Sequence, residues 1–459
     1  MIRTKSLSAI FAAAIIGAAA SFAGADETPL SVYRDAVNNN LGFRAAQANR
    51  DAEREGKAVA LASLLPSLSL SGNGGRASTD RKIADQPSES YNYETYQFAI
   101  NIRQPLYRPY EFARYQQAGK QLQAVDAQLG SARNDLVIKT LGAYFGAAYA
   151  ENLVSLLTAQ EASTQAQVLS AEKAFTAGVG TRIDISEARA QRDIILAQKL
   201  DALNQQDNAL RTLQAYVGRP LAPISLLTPE KFSTDLPRPL DADGWVAAAV
   251  AGSTDLAAAL AQVEVAQKEV QKANTGHLPT LDVMAGRNYS GNDSLSELNS
   301  LGDTHYRQDI IALQMNVPIY AGGGVAATKR QAKMKLAQAQ SLADDMRLRL
   351  EVSVRQEYGT LVQGALKIRA YEQAEASASE RLAATRKGKQ AGERSNLDVL
   401  VAETQLYTTR RDLAMARYQL LASRLRLLSY AGQLADDDVA TISTWFRTGV
   451  EAGRNSILQ

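Results

Sequence analysis

Hydrophobic and polar residues follow two different periods along this chain. Between residues 96 and 103, Tyr96, Phe98, Ile100 and Ile102 alternate with Gln97, Ala99, Asn101 and Arg103. The same two-residue period appears where Ile311, Leu313, Met315 and Val317 alternate with Ala312, Gln314 and Asn316. Leu68 and Leu70 sit between Ser67, Ser69 and Ser71, and Leu281, Val283 and Ala285 form a weaker fourth case. Such alternation predicts strands with one apolar and one polar face. Elsewhere the period is seven: Val399, Leu406, Leu413, Leu420 and Leu427, with Ala402, Thr409, Ala416 and Ser423 three positions on. That pattern predicts a coiled-coil seam with close helix packing.

Proline marks where the long helices cannot be. Two tracts, 110–219 and 319–459, contain none. Proline inside a helix costs roughly 3 kcal/mol, so these tracts, rich in Ala, Gln, Leu, Arg and Glu, predict helices over 111–177 and 183–217, then over 325–391 and 397–431. A continuous 111–177 helix would reach on the order of 100 Å, far beyond the usual globular helix. Further helical segments are expected over 30–64 and 245–277. Between the tracts, Pro220, Pro223, Pro229, Pro237 and Pro239 mark a linker over 219–243.

The two halves repeat one another. Leu65-Pro66-Ser67-Leu68 recurs as Leu278-Pro279-Thr280-Leu281, and Pro105-Leu106-Tyr107 as Pro318-Ile319-Tyr320, both offset by 213. Ala177-Gly178 followed by Asp184, Ala188 and Gln191 recurs as Ala391-Gly392 followed by Asp398, Ala402 and Gln405, offset by 214, as do Tyr216 and Gly218 at Tyr430 and Gly432. Four landmarks that hold one offset, with a single-residue slip, mean an internal duplication. The domains read as a first repeat over 26–218, the linker 219–243, a second repeat over 244–432 and a tail, 433–459, without a duplicate. The first repeat carries its own leucine series, Leu196, Leu203, Leu210 and Val217, shifted relative to the second.

The alternating segments allow two readings. They are amphipathic hairpins packed on a soluble core, or they cross a bilayer with lipid outside and a polar lumen inside. Polar loops are expected over 72–94 and 290–307, and Tyr91, Tyr93, Tyr96, Tyr289 and Tyr306 gather where strands would meet an interface. Four strands cannot close a barrel, because the smallest spanning barrels use about eight. If these strands cross a membrane, several chains share one barrel.

Composition narrows the chemistry. The first 25 residues place Arg3 and Lys5 before a mostly apolar stretch and Ala23-Gly24-Ala25, which reads as a secretory signal peptide over 1–25. The 459 residues hold no cysteine and only two histidines, His277 and His305. That removes thiol nucleophiles, disulfides, Cys-linked lipid and Cys-ligated metal. A formal net charge of +2 does not suit a nucleic-acid backbone as partner. Neither G-x-x-x-x-G-K-[ST], H-E-x-x-H nor G-x-S-x-G occurs. No catalytic set, cofactor or metal is expected, and both histidines read as ordinary surface residues, His305 in a polar loop.

Three segments carry a family resemblance: LPSL and LPTL opening the first strand of each half, NVPIYAGGG ending the fourth, and AGERSNLDVLVAETQLYTTRRDLAMARYQLLASRLRLLSYAG. With them the chain resembles the TolC family of outer-membrane efflux and secretion channels over nearly all of its length beyond residue 25. The resemblance implies a mainly α fold with a small membrane β part. Each internally duplicated protomer of a homotrimer gives four strands to one twelve-stranded barrel, which a coiled-coil helical barrel continues through the periplasm. It implies outer-membrane lipid, a periplasmic membrane-fusion adaptor and an inner-membrane ABC or proton-driven transporter as partners, and drugs or secreted protein as cargo. A soluble periplasmic coiled-coil adaptor or structural protein is the alternative.

Site residues follow from the same resemblance. Gly178, Val179, Gly180 and Thr181, and Gly392, Glu393, Arg394 and Ser395, match the periplasmic tips that meet the adaptor. Asp398 matches an aspartate lining the closed entrance, and three such carboxylates on a threefold axis would favour cations and make gating sensitive to pH and divalent ions. Asp184 and Arg394 match a pair that latches the tips, and an Asp–Arg bond is suited to that task. A second entrance aspartate, usual three residues after the first, is here Val401. Glu403 and Glu187 are acidic nearby. Where the second half bends from strand to helix with Gly322-Gly323-Gly324, the first half has Arg108-Pro109.

Overall fold

A computed structural model describes residues 26–85, 87–239, 241–293 and 304–447. The expected signal peptide, part of the second expected loop and the end of the tail lie outside the described residues. The elements run α1 (Pro29–Asn39), α2 (Leu41–Ala62), β1 (Ser67–Arg81), β2 (Glu89–Tyr107), α3 (Pro109–Thr176), α4 (Arg182–Val217), β3 (Leu226–Leu227), α5 (Ala242–Gly252) and α6 (Thr254–Asn274). They continue with β4 (Thr280–Asp293), β5 (Thr304–Asn316), α7 (Gly324–Gln390), α8 (Asn396–Tyr430), α9 (Asp436–Ser443) and β6 (Phe446–Arg447). The four proline-free helices start and end within two residues of their expected bounds. No single described helix is long and apolar enough to cross a membrane.

Two expected helices are each broken once. Asn40, at φ −65° and ψ 121°, separates α1 from α2, and Ser253, at φ −63° and ψ 123°, separates α5 from α6. These positions lie 213 apart, so the break belongs to the repeat. At Asn40 the side-chain oxygen accepts from the Phe43 amide at 3.0 Å and starts the next helix.

Contacts divide the chain into two compact units. One holds 47–129 and 255–346, including all four long strands. Its sheet is antiparallel in the order β1-β2-β4-β5, which leaves β1 and β5 as edges. The strands extend well into the segments expected as loops: Ser78 pairs with Asn92, and Ser290 with Tyr306. Backbone ladders persist there although the apolar alternation has ended. A register shift between Pro105 and Tyr107 lies at the base of β2, where proline's missing N–H is tolerated. The second-half bend is made by Gly322 and Gly323, both left-handed at φ 58° and 78°.

The other unit holds residues up to 46, 130–254 and 347 onward. Its core gathers Val32, Tyr33, Leu141, Tyr144, Phe145, Leu213, Leu421 and Leu425 with Val439, Ile442 and Phe446 of the tail. Fully buried Tyr144 places its hydroxyl 2.8 Å from the Glu27 and Ser225 carbonyls, fastening the linker to the helices. The tail up to Arg447 packs into this core, and Leu226 pairs with Arg447.

Seam packing differs between the repeats. In α8 all nine residues of both rows, from Val399 to Leu427, are buried. In α4 the buried row is Ala188, Ile195 and Ala202, which an offset of 214 maps onto Ala402, Thr409 and Ala416. The row equivalent to Leu406, Leu413 and Leu420 is Arg192, Lys199 and Gln206 in α4. Leu196 and Leu203 are exposed within the protomer. The shifted leucine series therefore divides: Leu196 and Leu203 mark a second surface, whereas Leu210 packs against the core and Val217 is buried in it.

Candidate functional site

The sheet has two chemically distinct faces. Leu68 pairs with Ile102, Ile102 with Ala285, and Ala285 with Ile311, so all four share one face. Val283–Leu313 and Leu281–Met315 extend it. This apolar face is bare: Leu70 is 78% exposed, Ile311 85% and Met315 67%. From Leu281 to Tyr289 along β4 it covers about 26 Å at ~3.3 Å per residue, the height of a barrel's lipid-facing band.

The band ends in an aromatic cluster. Tyr96 lies 6.5 Å from Phe98 and 6.0 Å from Tyr289, and Tyr289 stacks on His305 at 6.2 Å. Tyr96 and His305, both on this face, are joined at 2.7 Å between the hydroxyl and Nδ1. His305 therefore lies in β5 and in the aromatic cluster, not in a loop. Arg287 and Asp309, paired across strands at 2.6 and 2.9 Å, sit just inside the cluster. The opposite face carries Ser67, Ser69, Ser71, Asn101, Gln97 and Asn288, with Gln97 donating to Asn288 at 3.1 Å. One face suits hydrocarbon and the other water.

Where α3 leads into α4 and α7 into α8, two turns share one geometry. After α3, the Gly178 amide donates to Phe175 O at 3.0 Å and the Val179 amide to Ala174 O at 2.9 Å. After α7, the Gly392 amide donates to Lys389 O at 3.1 Å and the Glu393 amide to Gly388 O at 2.9 Å. Both are Schellman closures, with Gly178 and Gly392 left-handed at φ 76° and 79°. At Gly180 a Cβ would come within 2.9 Å of the Phe175 nitrogen, so the turn stays tight.

Each turn leads into a capping box. Thr181 Oγ1 accepts from the Asp184 amide at 3.1 Å, while Asp184 Oδ2 accepts from the Thr181 amide at 3.0 Å and from its hydroxyl at 2.5 Å. Ser395 and Asp398 repeat the arrangement: the Ser395 amide and hydroxyl donate to Asp398 Oδ2 at 2.9 Å, and Ser395 Oγ accepts from the Asp398 amide at 3.1 Å. In both boxes only Oδ2 is used. The Thr181 hydrogen bonds hold the Asp184 carboxyl below its ordinary range, and the Lys389 charge adds to this. The Ser395 amide and hydroxyl do the same for Asp398, helped by Arg394 and Arg381. Both carboxylates thus stay ionised into acid.

Within one protomer, the cation in the field of Asp184 is Lys389. Burial pushes its ammonium down, Asp184 opposes that shift, and its Nζ donates to Asn396 Oδ1 at 2.7 Å. Among the described residues no bond joins Asp184 to Arg394. The Arg394 stem instead lies over Gly388, where a Cβ would come within 2.9 Å of it. Val401 is exposed, whereas Glu403 is only 2% exposed. Glu403 Oε2 accepts from Gln167 Nε2 and lies 3.7 Å from Arg386, while Oε1 of Glu403 and Oε1 of Gln167 are buried without partners. Lys389, Asn396 and the Gln167–Glu403 contact were not singled out from the sequence. Only the contiguity of Lys389 and Asn396 with the tip motif hinted at the first two.

Comparison with known proteins adds a family. A pattern described as "Outer membrane efflux protein" matches residues 32–219 and again 245–433, in step with the duplication. The alkaline protease secretion protein AprF of Pseudomonas aeruginosa is 33% identical over 93% of this chain and 88% of its own. The outer membrane protein TolC of Vibrio cholerae is 28% identical, covering 96% of this chain and 98% of its own. In fold, the crystal structure of the Campylobacter jejuni CmeC outer membrane channel superposes with a TM-score of 0.76 at 16% identity, over 93% of this chain and 91% of that one.

Proposed function

The chain belongs to the outer membrane efflux protein family, and from that premise we propose that it is the exit duct of a tripartite export system, working as a homotrimer. It is an outer-membrane protein, of a family made of channels and not enzymes. One observation carries the reading: an open four-stranded sheet with a bare apolar face, a polar opposite face and two unpaired edges. Such a sheet closes only against copies of itself, and three chains make twelve strands around a water-filled lumen. Leu196 and Leu203, exposed in one protomer, give the helices a matching surface for a neighbour. A soluble coiled-coil adaptor would leave the apolar band uncovered and is not favoured.

The tips, Gly178 to Thr181 and Gly392 to Ser395, are the adaptor-contacting ends, and an inner-membrane transporter supplies the energy. Asp398 from three protomers rings the entrance, with Oδ1 free of the capping box. Asp184 and Arg394 latch the tips, the bond running between protomers, while Lys389 neutralises Asp184 within each one. The likeness to AprF favours an exported protein as cargo. Deleting the gene and comparing secreted protein with drug sensitivity tests the cargo, and crosslinked pull-down from membranes identifies adaptor and transporter. Recovery of the chain without detergent, as a monomer that gives no conductance in planar bilayers, refutes the duct.

A further inference from the structure

The polar face of the sheet is almost free of charge. From the Ser67–Arg103 pair out to the Gly75–Thr95 pair, it presents Ser69, Ser71, Asn73, Asn101, Gln97, Gly286, Asn288, Ser290 and Gln308, among other neutral residues. Over these rows and the base beside them, its charges gather at one place, the register shift of β2. There Asp282, 2% exposed, takes Arg103 Nη2 at 2.6 Å and Nε at 3.2 Å. The same carboxylate takes Arg108 Nε at 2.8 Å and Nη2 at 2.7 Å. Two guanidinium groups thus share one carboxylate, and the cluster keeps a net charge of one positive unit. Arg103 remains 45% exposed at its side chain while Asp282 is covered, so the cation is the group offered to water.

The second repeat has no copy of this cluster. At the offset of 213, Arg103 corresponds to Asn316, Arg108 to Ala321 and Asp282 to Ser69, all neutral. The bend at Arg108-Pro109 is therefore tied by an ion cluster where its duplicate uses glycine.

We propose that Arg103, Arg108 and Asp282 from three protomers form a basic ring in the lumen where the barrel meets the helices, and that this ring binds multivalent anionic groups passing through. The inference rests on the duct reading. In a lumen wall otherwise neutral over five rows, three excess positive charges set the local potential, and low-dielectric walls focus it. It is opposite in sign to the Asp398 ring, so an acidic stretch of cargo meets an attractive surface there.

The test uses the full-length protein in planar bilayers, with inorganic tripolyphosphate added on the barrel side. The wild type is expected to show concentration-dependent block. Arg103→Gln, which removes one positive charge per protomer, should raise the half-blocking concentration roughly tenfold at low salt. Asp282→Asn, which leaves both cations, should lower it. If the cluster only shapes the bend, the two substitutions shift block in the same direction or not at all, and the inference fails. Should Asp282→Asn not assemble, Asn101→Lys and Asn101→Glu, one row away on the same face, must move block in opposite directions. An absence of conductance refutes the duct; conductance without tripolyphosphate block refutes the ring alone.

Discussion

Glu403 offers a sharp test of how the tip helices are held together. It lies on α8 five residues beyond Asp398, its Oε2 accepting from Gln167 of α3 with Arg386 of α7 3.7 Å away. At that separation and an effective dielectric near 20 the ionic attraction is roughly 4 kcal/mol. The Arg386 side chain is 51% exposed, so water takes back much of it, and burying the carboxylate costs several kcal/mol more. Glu403→Gln should therefore be nearly neutral. Its new amide donates to Gln167 Oε1, a buried acceptor that now lacks a partner, for about 1 kcal/mol, offsetting the lost Arg386 attraction. Glu403→Ala removes that partner and one buried methylene, a loss of about 3 kcal/mol. Amide hydrogen exchange along α8 reads the difference: about a hundredfold faster local exchange for the alanine variant, and within tenfold of wild type for glutamine. Equal acceleration in both variants would refute this account, because the negative charge, not the hydrogen bond, would then be the anchor.

Other outcomes follow from the tips. Thr181→Ala removes an N-cap and should destabilise the start of α4 by about 1 kcal/mol, read by exchange of its first-turn amides. Because Asp184 is held below its ordinary pKa, its capping contribution is complete above the ordinary carboxylate range and is lost as pH falls through the lower folded value; first-turn protection should drop only in strong acid, and a drop near neutral pH would contradict the assignment. Asp398→Asn should weaken block of the closed channel by divalent cations, with unchanged block in planar bilayers ruling out the entrance ring. Arg394→Ala should raise closed-state conductance, and Lys389→Ala should raise it less, since Lys389 faces Asp184 within one chain; equal effects would contradict a latch between protomers.

The long helices and the strands were legible because their periods are set by burial on one side. Three features escaped for separate reasons. Strand pairing continues to Arg81 and Asp293, where hydrogen-bonded backbone persists after alternation stops. The breaks at Asn40 and Ser253 need only one extended residue each, itself neither proline nor glycine. In α4 large leucines drew attention to the wrong row, since the buried row there includes Ala188 and Ala202. Among site residues, Asp184 and Asp398 were reached through the family resemblance, and the capping boxes that hold them are local motifs within three residues. The Asp282 cluster joins residues 174 and 179 apart, and the Gln167–Glu403 contact spans 236. Neither separation leaves a local pattern.

The unpaired edges β1 and β5 have a consequence for how the molecule is made. Each is a row of free backbone donors and acceptors over 15 and 13 residues, which any other strand can satisfy. A newly exported chain is therefore adhesive from the start, and its correct partners are two sisters that must be met by collision. Maturation becomes a race whose winner depends on concentration: productive closure gains with each additional sister present, while a single stray strand suffices to cap an edge wrongly. Slow synthesis should favour waiting monomers held by chaperones, and overproduction without them should yield aggregates rich in intermolecular β structure before it yields more channels.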